Sequence, residues 1–191
     1  LPVLAALIDE APRCGKTTGT ALRSAPTVAL ADLARSDGLH LYQPGVRSGR
    51  NGAAGGRSVP AVTGLDVAGG TGPSGTVFTG TPETDLGTIQ RDDVLVTVVA
   101  SDVVARVATE AQIGAVTGPE VSTVRVDPKV LDPWFAAGTL GRSGTGALAR
   151  GSANTTGSMR IGGMRRLRVP VLPIAEQRRY GAAFRTLLAY E

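Results

Sequence analysis

The residue types that most often carry catalysis or bind metals are scarce in this sequence of 191 residues. His40 is the single histidine, and its apolar neighbours predict a histidine packed within a strand rather than a general base. Cys14 is the single cysteine, so an internal disulfide is excluded and a zinc site of Cys and His ligands cannot form within the chain. Adjacent residues of a strand point to opposite faces, so Asp92 and Asp93 predict no carboxylate dyad.

Two glycine-containing segments invite comparison with nucleotide-binding loops. In "RCGKTTGT" the position five residues before the Gly-Lys-Thr is Glu10, where a phosphate-binding loop needs glycine, and no predicted strand precedes it. The segment Gly144-Thr145-Gly146 begins a dinucleotide-like pattern but lacks the flanking strand and the downstream acid. Neither segment predicts a nucleotide site.

Arginine carries most of the positive charge. The formal net charge is +4, and Lys16 and Lys129 are the two lysines. Residues 142–185 contain nine arginines and one acid, Glu176, whereas residues 83–132 contain nine acidic and four basic side chains. Guanidinium groups pair bidentately with phosphate oxygens and guanine edges, so this cluster is typical of a nucleic-acid-binding surface. A solvated basic face would give the same composition, and composition alone leaves both readings open.

The elements that must position these residues are mostly short. Residues 1–11 predict a helix, 27–41 a strand, a helical turn and a second strand, and 59–67 a further strand. Residues 87–101 give the clearest strand signal, a β-branched run that follows a polar turn. A closing strand over 164–173 and an amphipathic helix from Ile174 complete a strand-rich α/β (α+β) fold with a helix packed on its sheet. No apolar run approaches the roughly 20 residues of a membrane span, so no membrane association is predicted.

The segment 127–142, "DPKVLDPWFAAGTLGR", predicts a helix with Asp127 as N-cap and Pro128 as its first residue. Its apolar residues keep mostly to one face. These are Val130, Leu131, Trp134, Phe135 and Leu140.

Within that helix, Asp132-Pro133-Trp134-Phe135 resembles the Asp/Asn-Pro-Pro-aromatic tetrapeptide with which amino-group DNA methyltransferases hold a flipped base. That motif should end a parallel strand and follow a glycine turn that binds the methyl donor. Here the second proline is missing, and the helical pattern directs Trp134 and Phe135 towards the core. The tetrapeptide therefore predicts packing, with Asp132-Pro133 as an interruption within the helix.

Most of the chain resembles the target-recognition domains of type I restriction–modification specificity subunits, and related domains fused to adenine-specific DNA methylases. "IQRDDVLVTVVAS" is similar to the "GDVLVS" turn and strand of that family, with Arg91-Asp92 in place of the usual glycine. "VRVDPKVLDPWFAAGTL" resembles the strand and helix that follow. "VPVLPIAEQ", residues 169–177, resembles the closing "IPLPPLAEQ" signature, with Leu172 in place of a proline. The match spans roughly residues 27–190.

The resemblance implies sequence-specific recognition of double-stranded DNA, with no catalytic residues in this chain. Methyl transfer would belong to another domain or subunit, which would bind S-adenosylmethionine. The expected organisation is an N-terminal helix and lead-in loop (1–23), a recognition domain (24–173) and a spacer-like helix (174–191) through which the protein could form a homodimer. The start at Leu1 is expected of an excised fragment, and the lone cysteine of a cytoplasmic protein.

A recognition domain needs phosphate contacts to fix its register and polar side chains to read base edges. The loop from Arg142 to Arg166 offers both kinds of side chain, and the loop 43–57 adds three arginines. The residues predicted to contact DNA are Arg47, Arg50 and Arg57 in the first loop, and Arg142, Ser143, Arg150, Asn154, Thr155, Ser158 and Arg160 in the second. Strand alternation is expected to turn Arg165, Arg166 and Arg168 to different faces.

Two other functions compete with this one. A self-contained small methyltransferase would use Asp132 and would have to bind S-adenosylmethionine. A protein-interaction module would present its basic face to an acidic partner, and its affinity for duplex DNA would not show a steep dependence on salt.

Overall fold

The computed structural model describes residues 22–42, 57–79, 87–100, 102–142 and 161–189. The helices are α1 (Leu30–Arg35), α2 (Gly64–Gly69), α3 (Pro133–Arg142), α4 (Ile161–Arg166) and α5 (Ile174–Leu188). The strands are β1 (Thr27–Ala29), β2 (Leu39–Tyr42), β3 (Arg57–Val62), β4 (Gly75–Thr79), β5 (Val94–Val99), β6 (Asp102–Val107), β7 (Val116–Thr117), β8 (Ser122–Val126) and β9 (Arg168–Pro170).

The largest sheet contains four antiparallel strands in the order β2-β8-β5-β6. Its central strand β5 is the β-branched run "VLVTVV", in which the first four residues are buried. A strand covered on both faces needs such a continuous apolar run, whereas an edge strand can alternate. The edge strand β2 does alternate, since Leu39 is buried and His40 is exposed.

One face of this sheet meets the main hydrophobic core. Helices α1, α3, α4 and α5 contribute to this core, and the inward side chains of the four strands, such as Val94 and Val124, complete it. Helix α3 lies along the edge strand β6, and α5 packs on α3. Phe135 of α3 is fully buried, with its ring centroid 6.1 Å from that of Tyr180 in α5.

The opposite face of the sheet is covered over β5 and β6. Helix α2 packs there, and Leu95 of β5 joins Val62, Val67 and Val121 in a second cluster. Beside it lies a three-stranded sheet in the order β4-β3-β7, in which β3 and β7 are parallel. The four-stranded sheet therefore separates two apolar layers and links them through alternate residues of β5.

A short antiparallel ribbon joins distant parts of the chain. Strand β1 pairs with β9, and the amide of Leu30 donates to the carbonyl of Leu167 at 2.8 Å. The segment that leads into α5 is thereby fixed to the segment that leads into α1.

The fold class predicted from the sequence is confirmed, including the helix packed on the sheet and the amphipathic C-terminal helix. Three local predictions were wrong. Residues 63–67 belong to Thr63 and α2 rather than to a strand, because Thr63 and Asp66 form a reciprocal capping box. Residues 161–166 form α4, so the closing strand shortens to β9. The third concerns the start of α3.

Helix α3 begins at Pro133 and not at Pro128. Residues 128–130 form a turn, in which Asp127 accepts the amides of Lys129, Val130 and Leu131. The capping residue is Asp132, whose Oδ1 accepts the Phe135 amide at 2.9 Å. Asp132-Pro133 is therefore the start of the helix and not an interruption within it. Val130, which precedes it, is 43% exposed rather than part of the apolar face.

Candidate nucleic-acid interface

Most of the side chains that the sequence predicted to contact DNA lie outside the described residues. Eight of the ten do so: Arg47, Arg50, Ser143, Arg150, Asn154, Thr155, Ser158 and Arg160. The backbone of Arg57 opens β3 and that of Arg142 ends α3. The first predicted loop thus leaves the fold at Tyr42 of β2 and returns at β3, and the second leaves at α3 and returns at α4. These predictions of DNA contact stay predictions.

A buried ion pair supports the strand from which the first loop leaves. The Asp93 carboxylate accepts Nε and Nη2 of Arg125, each at 2.8 Å, and the Gln90 amide also donates to it at 2.8 Å. The Asp93 side chain is 1% exposed, and that of Arg125 is 25% exposed. Hydrogen bonding to Asp93 raises the pKa of Arg125 above its ordinary value, so the guanidinium keeps its charge in the folded protein.

Arg125 in turn holds the last residue of β2. Its guanidinium carbon lies 4.9 Å from the ring centroid of Tyr42, and its Nη2 also donates to the carbonyl of Thr88. A cation above an aromatic face is attractive, and more so where water is partly excluded. The contacts from Asp93 through Arg125 to Tyr42 therefore orient the Tyr42 side chain, which immediately precedes the first predicted loop.

His40 lies beside this group, and its environment corrects the expectation that it would be packed. It is in β2, as predicted, but its side chain is exposed. Strand alternation places it on the same face as Tyr42, with 6.4 Å between the ring centroids, and it pairs across the strands with Arg125. The apolar neighbours Leu39 and Leu41 belong to the opposite face, and this explains the error.

The sequence did not single out Tyr42, Asp93 and Arg125 as a group. Their separation in the chain hides the contact, because Arg125 meets Asp93 only when β8 pairs with β5. The available signal was weak: a lone arginine in an apolar strand, "STVRV", needs a partner when it is partly buried. Of the two adjacent aspartates, Asp92 is exposed and Asp93 is buried against Arg125.

The contacts of the methyltransferase-like tetrapeptide, residues 132–135, hold the fold together. Besides the cap, the amide of Asp132 donates to Oε1 of Gln177 at 3.0 Å. Nε2 of Gln177 donates to the carbonyls of Val130 and Leu172. Gln177, from the "AEQ" segment, thus joins the start of α3 to the start of α5. Trp134 packs against the core as predicted, with Arg185 over its ring at 5.3 Å.

The three arginines next to the second loop are not arranged as an alternating strand. Arg165 and Arg166 are exposed in the last turn of α4, a helix, so the alternation expected for them does not apply. Arg168 lies in β9, where its guanidinium donates to Oγ1 and the carbonyl of Thr27 at 2.8 and 2.6 Å. Arg168 therefore stabilises the β1–β9 ribbon.

Metal-binding groups and membrane-spanning helices are both absent from the described part of the chain. Within it, His, Cys, Asp and Glu side chains form no group of three that could hold a metal ion. None of its helices is long and apolar enough to cross a bilayer.

This architecture is similar to that of solved restriction–modification proteins. An HsdS subunit from Thermoanaerobacter tengcongensis matches with a TM-score of 0.52 and 15% sequence identity, over 99% of this chain and 47% of that chain. A chain from a structure on complex assembly and conformational transition of the type I restriction–modification system matches with a TM-score of 0.51, 14% identity and the same coverage. The chain has the fold of a type I specificity subunit.

The resemblance inferred from the C-terminal motifs is thereby confirmed for the fold. The chain spans about half the length of these two proteins. No protein-family model and no curated protein matches the sequence. The elements that carry the resemblance, β5, the β8–α3 segment and the β9–α5 segment, come together in the main core.

Proposed function

We propose that this chain is a sequence-specific DNA-recognition domain of a cytoplasmic restriction–modification or related adenine methylase system. It directs a methyltransferase domain or subunit to the target. The main support is the fold of a type I specificity subunit over 99% of the chain. The second support is the excess of arginine in residues 142–185, which suits phosphate contacts.

The fold offers a rigid support for two recognition loops. Each predicted loop begins and ends on an element that packs in one of the two cores, which favours binding by loops held on a fixed frame. The polar side chains of the second loop, with their arginines, would then contact both phosphates and base edges. The chemistry of methyl transfer would belong to the partner, with S-adenosylmethionine bound there rather than on this chain.

The test is DNA binding by the purified chain, measured by fluorescence anisotropy on a duplex selected from a random library. We expect a selected sequence to bind at least roughly 100-fold more tightly than random duplex. Affinity should fall steeply with salt, because bound counterions are released from the phosphates that arginines contact. Equal affinity for every duplex would contradict the proposed function.

Charge reversal locates the contact. Arg142→Glu, Arg150→Glu and Arg160→Glu together should lower the affinity by roughly 100-fold and flatten the salt dependence. The matched control reverses three arginines that are exposed outside residues 142–185, Arg23, Arg35 and Arg91. Unchanged affinity in the first triple variant would contradict the assignment of the second loop.

The rival methyltransferase is tested by calorimetry with S-adenosylmethionine. The proposal expects no binding to this chain alone, and micromolar affinity would favour the rival.

Sedimentation tests the proposed homodimer through α5, whose outward face includes the 57% exposed Leu187. A Leu187→Glu variant should be monomeric if this residue lies in the contact.

A further inference from the structure

The described elements cover only part of the face of the four-stranded sheet opposite the main core. Helix α2 packs over β5 and β6. On the β2–β8 side the same face carries His40, which is exposed, Tyr42, which is 39% exposed, and Arg125. We call these three side chains the β2–β8 surface. It is formed by an antiparallel pair of strands at the edge of the sheet, a shape that fits the major groove of DNA.

The chemistry of the β2–β8 surface suits hydrogen bonding better than charge attraction. The charge of Arg125 is balanced by Asp93, which accepts two of its hydrogen bonds. The imidazole of His40 and the hydroxyl of Tyr42 can each donate and accept. A surface with neutralised charge and two exposed polar groups is poorly suited to hold phosphates, but it matches the donors and acceptors on base edges.

The surface is also held in a fixed shape. Tyr42 rests against Arg125, and Arg125 is fixed at three acceptor atoms, two on Asp93 and the carbonyl oxygen of Thr88. Side chains already fixed before binding lose little conformational entropy when they contact a ligand.

Tyr42 is the last described residue before the first predicted loop. We propose that His40 and Tyr42 read base edges of the target. This inference rests on the proposed function.

The experiment compares His40→Ala and Tyr42→Phe with the wild-type chain on its selected duplex and on random duplex. Tyr42→Phe removes the hydroxyl, together with its hydrogen bond to Arg125, and keeps the ring. Each variant should bind the selected duplex roughly tenfold more weakly, while its affinity for random duplex and its salt dependence stay unchanged. A new selection with each variant should show relaxed preference at one or two adjacent base pairs.

The control is Arg35→Ala, which removes an exposed side chain from α1 on the other side of the sheet. It should match the wild type on both duplexes. Thermal unfolding of each variant separates loss of binding from loss of folded protein. Wild-type affinity and preference in both variants would overturn the inference. So would equal weakening on both duplexes with a flatter salt dependence, since that pattern marks phosphate contacts. If the wild-type chain itself prefers no sequence, the proposed function fails and this inference with it.

Discussion

A buried carboxylate, Asp66, holds the segment between α2 and β4. It is 4% exposed and accepts the amides and hydroxyls of Thr63 and Ser74 at 2.8–3.0 Å, and the Thr71 hydroxyl at 3.2 Å. Burial raises the pKa of Asp66, but these hydrogen bonds outweigh it and hold the pKa well below its ordinary value. The ionised form is therefore the one that the fold favours.

Asp66→Asn should lower the free energy of unfolding by about 1–3 kcal/mol at neutral pH, because buried donors lose a charged acceptor. The pKa of Asp66 is lower in the folded than in the unfolded chain. The contribution of Asp66 to the free energy of unfolding is thus fully present above its unfolded pKa of about 4. It is lost as the pH falls towards the folded pKa.

Urea unfolding of both proteins between neutral and acid pH checks this. The difference between wild type and Asp66→Asn should be largest at neutral pH and shrink below about pH 4. The control is Asp32→Asn, which breaks an exposed pair with Arg35 and should cost at most about 1 kcal/mol. A pH-independent difference for Asp66→Asn would contradict the assigned role of its charge.

Two adjacent aspartates show what single residues reveal in a sequence. Asp92 and Asp93 do point to different environments, but they lie in the turn before β5, so strand alternation is not the reason. The backbone conformation of Asp92 could not be predicted from the sequence pattern. Asp92 has φ of 65°, in the left-handed region, at the position where the resembling family has glycine. Aspartate tolerates this region better than most residues, so the turn forms without glycine. The ion pair from Asp93 to Arg125 needed the strand order, which no local pattern contains.

Helices α3 and α5 approach each other closely at two glycines. A β-carbon on Gly138 would collide with the Phe184 ring, and one on Gly181 with the Asp132 carboxylate and the Phe135 amide. Gly181 thereby leaves room for the side chain that caps α3. The close approach of α3 and α5 also positions the end of α3, after which the second predicted loop begins.

Gly181→Ala should therefore destabilise the protein by about 1–3 kcal/mol, although alanine is the better helix former. Denaturant unfolding monitored by circular dichroism measures the change. The control is Gly69→Ala in α2, where an added β-carbon meets its nearest atom, Cγ2 of Thr71, at 3.5 Å. That variant should be neutral or stabilised by at most about 1 kcal/mol. Equal behaviour of the two variants would contradict the close α3–α5 contact.

Elements with a strong local signal were predicted well. The run in β5 and the amphipathic pattern of α5 both specify their own periodicity, and both helix and strand are confirmed. The start of α3 was misplaced because Asp127-Pro128 and Asp132-Pro133 carry the same capping signal. Tertiary contacts decide between them, since Gln177 bonds the backbone of Val130 and Asp132 and fixes the second as the helix start.

One part of the candidate site could be predicted from the sequence, and the other part could not. Composition located the arginine-rich loops, because charge is a property of the sequence itself. The β2–β8 surface could not be found from sequence, since it requires knowing which half of a sheet face the described elements leave uncovered. His40 shows the difference: its neighbours along the chain are apolar, but its neighbours in space are Tyr42 and Arg125.

The two cores share strand β5, so we expect the chain to unfold as one cooperative unit. Leu95 faces the second core, whereas Val94 and Val96 face the main core, which Trp134 of α3 contacts. Leu95→Ala should cost about 2–5 kcal/mol, and the loss should appear in the fluorescence of Trp134, the single tryptophan, although that residue belongs to the other core. Fluorescence and far-ultraviolet circular dichroism should give the same midpoint.

The matched control is Leu65→Ala, which shortens a side chain that is 73% exposed on α2 and should change the midpoint little. A Trp134 midpoint that stays at the wild-type value while circular dichroism shows two transitions would mean that the cores unfold separately.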